Sequence, residues 1–159
     1  MTREGGFTMV ELIMVMVMVG VLAAIGIPKL MGGNTTGALV FGDQVASALR
    51  HAQKSAVAHR RLVCVGLTAR TVNMRIRTSE LASNTGCDAD LKGAENGTYD
   101  SSDATVAIKD PPSQLYFQPD GTITGAPAGT PLGMVNITIQ LDGQPQRTIR
   151  LEGSTGYVE

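Results

Sequence analysis

Residues 1–30 read MTREGGFTMVELIMVMVMVGVLAAIGIPKL, and no side chain from Leu12 to Pro28 carries a charge. Glu11 stands at the edge of that run, four residues past Phe7. As a helix rising ~1.5 Å per residue, Phe7 to Leu30 extends about 36 Å, enough to cross a hydrocarbon layer of about 30 Å. Three readings compete. One is a cleaved signal peptide, with Arg3 in a short basic region and Ala24-Ile25-Gly26 as a small-residue cut site. Another is a plain membrane anchor. The third is a segment that first sits in the membrane and is later drawn out to pack against copies of itself.

Glu11 separates these readings. A signal peptide gains nothing from a carboxylate at the head of its apolar region, and a simple anchor is penalised by it, although less near the interface than at mid-bilayer. Locally, Thr8-Met9-Val10-Glu11 fits a T-x-x-E capping box, and a carboxylate in the first turn suits the helix dipole. A cap leaves the Gly5-Gly6/Phe7 boundary unexplained. A cut between Gly6 and Phe7 would create an α-amino group one turn from Glu11. Neither charge tolerates an apolar setting unpaired. They can pair within one chain, or between Phe7 of one copy and Glu11 of the next, which makes the glutamate a register pin for helix stacking.

The stretch Gly6-Phe7-Thr8-Met9-Val10-Glu11-Leu12 resembles the class III prepilin signal of type IV pilins and type II secretion pseudopilins. The resemblance extends from Gly5 to about Leu30: short leader, GG, Phe, a Glu inside an apolar run, then Pro28. It implies that a membrane aspartyl prepilin peptidase cuts after Gly6 and methylates the new N-terminus at Phe7. It also implies that Glu11 serves subunit assembly. The implied partners are other pilin or pseudopilin subunits, the prepilin peptidase and the inner membrane, with the C-terminal domain in the periplasm. Arg3 and Lys29 at opposite ends of the segment indicate its orientation only weakly.

Within the apolar run, Gly20 and Ala24 make a small-xxx-small spacing that permits close helix approach. Pro28 lacks an N–H and is expected to kink or locally melt the helix, and with Gly32, Gly33 and Gly37 it predicts a joint over residues 28–37. Ala38, Phe41, Val45, Leu49, Ala52 and Ala56 then recur at spacings of three and four, one face of an amphipathic helix ending near residues 59–61.

The remainder reads as β structure. Val72, Met74 and Ile76 alternate with polar residues, as do Val135, Ile137, Ile139 and Leu141. DGQPQ (142–146) reads as a turn into RTIRLE (147–152), a hairpin partner. Shorter strands are expected over 62–67, 105–109 and 114–117, with a turn at 119–121 and a return strand starting at Ile123. Residues 79–104 are polar and Gly-rich, an excursion tied down by Cys87. The expected architecture is α+β and pilin-like, a long N-terminal helix on a small antiparallel β-domain. Its segments are a leader (1–6), a membrane and assembly half-helix (7–30), a joint with an amphipathic half-helix (31–60) and a periplasmic β-domain (61–159). AQKSAVAHRR (52–61), FQPDG (117–121) and EGSTGYVE (152–159) resemble the GspH/FimT subfamily of minor pilins and pseudopilins.

Bulk composition agrees with one domain plus an appendage. The chain has 159 residues, 43% hydrophobic and only 4% aromatic, with a net charge of −1, so global charge selects no partner. Four of the eight methionines fall between Met9 and Met18. Cys64 and Cys87 are the two cysteines. In a small exported domain they favour a disulfide, worth roughly 3 kcal/mol in the chain-entropy model, and alone they cannot complete a zinc site.

Charge is unevenly distributed. Seven basic residues and no acidic one fall between Arg50 and Arg77, and eight acidic residues fall between Glu80 and Asp120. This predicts one basic and one acidic side. Arg60, Arg61, Arg70, Arg75 and Arg77 are therefore candidates for contact with nucleic acid or with an acidic partner. Some FimT-like minor pilins bind DNA through a basic C-terminal tail. Here the tail has Tyr157 and ends in Glu159, so a lateral contact with a neighbouring subunit or plain solvation is favoured over DNA. Asp88, Asp90, Glu95, Asp100 and Asp103 match no calcium loop spacing and read as a solvated acidic excursion. His51 and His59 lie two turns apart with no nucleophile constellation around them, so no catalytic residue, metal, cofactor or small-molecule substrate is expected. The reading that results is a structural subunit of a type IV pilus or type II secretion filament or its tip complex. The alternative is a pilus-tip DNA-binding subunit.

Overall fold

The computed structural model of the chain describes residues 8–31, 33–79, 86–91 and 97–159. They form two units, Met1–Gly33 and Asn34–Glu159.

The first unit is the helix α1 (Met9–Met31). Its start is set by Thr8, whose Oγ1 accepts a hydrogen bond from the Glu11 N–H at 3.3 Å while its carbonyl accepts from Leu12 at 3.2 Å. This is the backbone half of the expected cap. The helix runs through Pro28 to Met31, and the next helix starts at Gly33. In the joint predicted over residues 28–37, helix lies on both sides of residue 32. Pro28 removes one backbone hydrogen bond to the preceding turn without ending the helix.

In the second unit, α2 (Gly33–His59) presents a buried stripe that contains every residue of the predicted apolar face, plus Ala46, Ala48 and Ser55. The stripe is wider than a one-sided amphipathic helix needs because small alanines on its flanks allow a sheet to approach on either side. The helix closes with Arg60 in the left-handed region (φ 52°). The Arg61 N–H bonds the Ala56 carbonyl and the Arg60 N–H bonds that of Val57, the two bonds of a Schellman motif with arginine where glycine is usual.

Ten short strands follow. β1 (Val63–Leu67), β2 (Thr71–Ile76), β3 (Ala89–Asp90), β4 (Thr98–Asp100), β6 (Gln114–Phe117) and β7 (Ile123–Thr124) make one antiparallel sheet in the order β3-β2-β1-β6-β7, with β4 also on β2. β5 (Val106–Lys109), β8 (Met134–Leu141), β9 (Gln144–Glu152) and β10 (Tyr157–Val158) make a second, in the order β10-β9-β8-β5. The sheets are joined at both ends. The Ile108 N–H bonds the Ala69 carbonyl at one, and the Ile123 N–H bonds the Gly153 carbonyl at the other. Leu49, Met74, Ile108, Phe117, Ile139 and Leu151 meet in one buried core between α2 and the sheets.

Two expectations are corrected. The polar excursion contributes strands, β3 and β4, which lie along β2. The β8–β9 hairpin turns on Asp142 and Gly143 alone, both at positive φ (49° and 77°), as a tight two-residue hairpin requires, and β9 begins at Gln144. Pro145 is accommodated in the strand because the register shifts between Ile139 and Gln140, a bulge that relieves it of a ladder N–H.

Candidate functional site

α1 has no partner of its own. Every side chain from Thr8 to Ile25 is exposed, and Met9–Ile27 combines a mean hydropathy of 2.6 with none of its length buried. A helix that apolar and that uncovered is long enough to cross a membrane. Aliphatic side chains occupy all sides of it, so no one face is set aside for a domain core. Gly20 lies in open space. Glu11 is the one acid in the first turn, exposed, with its backbone N–H on Thr8. Gly6 and Phe7, the expected cut and methylation positions, lie outside the described residues, as does Gly32 of the predicted joint.

Cys64 on β1 and Cys87 in the excursion are joined, with their Cα atoms 6.0 Å apart. The bond ties residues before β3 to the middle of the first sheet. The arginines nominated as a contact surface serve the same segment. Arg61 reaches across to the carbonyls of Arg77 and Thr78, and Arg77 Nε donates to the Gly86 carbonyl at 3.2 Å. Arg75 pairs with Asp90 at 3.5 Å, and Arg70 donates to the Ser101 carbonyl at 3.1 Å. Arg60 is the helix cap.

These residues do not form one basic side. Arg60, Arg61 and Arg77 share the end of the β1–β2 pair where Val63 meets Ile76. Arg70 lies at the other end, beyond Leu67 and Val72, several residues at ~3.4 Å each away. A row of free cations matched to successive phosphates is not present among the described residues.

The acidic residues are dispersed too. Asp88 accepts from the Thr78 hydroxyl and N–H at 2.6 Å each, and Asp103 and Asp120 accept in the same way from Thr105 and Thr122. These bonds to the ionised form, from the Thr78 side chain first for Asp88 and from the backbone N–H first for the other two, hold all three carboxyls below the usual value. No three potential metal ligands converge among the described residues; Glu95 lies outside them. His51 and His59 line the same shallow groove, together with Ser55, Arg61, Thr78 and Asp90.

The three short motifs that resemble GspH/FimT sequences meet in space. Gln53, from the helix end, donates to the Thr155 carbonyl at 3.3 Å. A Cβ on Gly156, itself at φ 68°, would overlap the carbonyl of Gly121, and one on Gly153 would overlap that of Leu132. The glycines allow backbone to lie on backbone where the two sheets join and α2 ends. AQKSAVAHRR, FQPDG and EGSTGYVE therefore form a closure of the fold.

Sequence reasoning did not single out Tyr99 of β4. It faces Ser47, Arg50, His51 and Lys54 across an open cleft on α2. The available signal was the spacing of Arg50 and Lys54, four apart with no acid three or four residues from either.

Residues 42–156 match a protein-family model described as type II transport protein GspH. No curated protein matches the sequence. Among solved structures, the chain is similar to the type IV minor pilin FimU of Pseudomonas aeruginosa PAO1 in two crystal forms. One has a TM-score of 0.54 at 18% identity, covering 76% of this chain and 85% of that one. The other has a TM-score of 0.52 at 17% identity, covering 76% and 90%. At that identity the likeness is one of fold, and the fold is the pilin fold.

Proposed function

Because the chain belongs to the GspH family, whose members are minor pilins and pseudopilins, we propose that it is a non-enzymatic filament subunit of a type IV pilus or type II secretion system, or of its tip complex. The observation that carries this reading is the wholly uncovered apolar helix α1 headed by a single carboxylate. In the inner membrane, lipid covers that helix while the β-domain sits in the periplasm. Prepilin peptidase cuts between Gly6 and Phe7 and the Phe7 amine is methylated. On extraction, the side chains from Met9 to Ile27 exchange lipid for the helices of neighbouring subunits. The exchange is nearly neutral for aliphatic surface, so polar groups set the register. Glu11 then pairs with a Phe7 ammonium, its own or the next subunit's, in a setting where either charge alone is strongly disfavoured.

A pilus-tip DNA receptor draws less support, since Arg61, Arg70, Arg75 and Arg77 are each tied to an internal carbonyl or carboxylate. Mass spectrometry of the mature polypeptide from its native cell tests the assignment. The expected N-terminus is methylated Phe7. A chain that still starts at Met1, or one trimmed near Gly26, overturns it.

A further inference from the structure

The cleft between α2 and β4 holds two cations, Arg50 and Lys54, that enter no ion pair among the described residues. Ser47, Arg50, His51 and Lys54 line one wall and Tyr99 the other, around a volume of about 360 Å³. Arg50 is anchored through its Nε, which donates to the Val158 carbonyl at 3.2 Å. Lys54, one turn further on, is exposed. The ion pairs among the described residues join Arg75 to Asp90 and Arg147 to Asp43, and neither Arg50 nor Lys54 enters one. Like charges four apart on a helix disfavour it, and no acid lies three or four residues from either to offset them.

We propose that this cleft binds a carboxylate-bearing segment of a neighbouring subunit, an inference that rests on the filament reading above. Three features fit a carboxylate. A guanidinium anchored through Nε offers a planar fork that matches the two oxygens of an Asp or Glu side chain. Lys54 supplies a second, mobile charge. The hydroxyls of Ser47 and Tyr99 supply neutral donors, and the ring of His51 supplies a further N–H.

The surroundings disfavour nucleic acid. Tight phosphate-backbone binding needs a row of cations. Here the cleft is short and lined by two cations, which match one or two carboxylates.

The test uses the full chain in neutral detergent micelles, titrated with fluorescein-labelled hexaglutamate and with a single-stranded hexanucleotide at low and high salt. The expected result is saturable hexaglutamate binding that weakens with salt, falls roughly tenfold in Lys54→Glu and stays within about twofold in Arg150→Glu, a charge reversal outside the cleft. Lys54→Gln should fall between the two, and it serves in place of the glutamate variant if that one fails to fold. Absence of hexaglutamate binding overturns the proposal. So does equal loss in the Lys54 and Arg150 variants, or tighter binding of the oligonucleotide. Because binding is read on the isolated chain, it can fail while the N-terminus is still processed at Phe7, and the reverse. The two readings are therefore separately refutable.

Discussion

The two units of this chain carry comparable side chains under opposite conditions. In the β-domain, Leu49, Met74, Phe117 and Ile139 are buried among one another, and no buried side-chain polar atom among the described residues lacks a hydrogen-bond partner. In α1, Leu12, Ile13, Val15 and Leu22 are more than half exposed, and Glu11 is the acid at their head. The domain buries its apolar side chains within one chain, while those of the helix are left uncovered. Substitutions should divide accordingly. Those in α1 should leave the domain's stability alone and change membrane or filament behaviour. Those in the domain should change stability first.

The largest effect is expected at Glu11. On the filament reading proposed above, Glu11→Ala removes the counter-charge of a Phe7 ammonium, and an unpaired charge in an apolar bundle costs several kcal/mol, so incorporation into filaments should drop roughly tenfold or more. Thermal melting of the domain should not change. Quantifying the variant in sheared filaments against total cell protein reads both outcomes, and normal incorporation would break the division of labour at its main point.

Next in size comes Gly156. A β-branched side chain there must adopt φ 68° and overlap the Gly121 carbonyl. Gly156→Val should thus lower domain stability by about 3 kcal/mol, from left-handed backbone strain plus overpacking. Gly20→Ala in α1 meets nothing within 4 Å and should leave melting unchanged. Circular dichroism melts of the two variants side by side sharpen the contrast. Equal destabilisation would mean that α1 and the domain are not energetically separate.

Legibility in the sequence follows the same division. The apolar run of α1 was readable because charge and hydropathy change abruptly at its head. The face from Ala38 to Ala56 was readable because helical periodicity survives burial. The strands β1, β2 and β8 could be placed from their apolar runs and alternation, but β3, β4 and β10 could not. Each of those three is only two or three residues long, polar or mixed, and held by its neighbour rather than by its own pattern. The hairpin loop was read too long because Pro145 resembles a breaker, and only the register shift opposite it makes room for it in a strand.

Among the site residues, the arginines misled most. A cluster in sequence became dispersed tethers in space, because consecutive positions on a hairpin and a helix end point to different parts of the surface. The GspH/FimT-like motifs were legible as likeness and not as structure. That Gly121, Gly153 and Gly156 meet at a sheet junction depends on contacts twenty or more residues apart in the chain.

The smallest expected effect lies at the edge of the domain, in the Asp–Thr pairs. Thr78 donates two hydrogen bonds to Asp88, and its side-chain bond is the main reason this carboxyl is held below its usual value near 3.8. A carboxyl lowered in the folded state stabilises that state wherever it is ionised. The contribution is complete above the unfolded value and is lost as pH falls through the folded one. Asp88 is exposed, so solvent screens the effect and its size should be slight. Asp88→Asn should melt slightly below the parent at pH 7, and the gap should narrow as pH falls below the ordinary carboxyl value and close once the parent's lowered carboxyl takes up its proton. The same Asp88→Asn change should leave the membrane behaviour of α1 untouched, because its bonds lie wholly in the second unit. A gap that persists unchanged at pH 3 would mean that Asp88 acts through the shape of the Thr78 turn rather than through its charge.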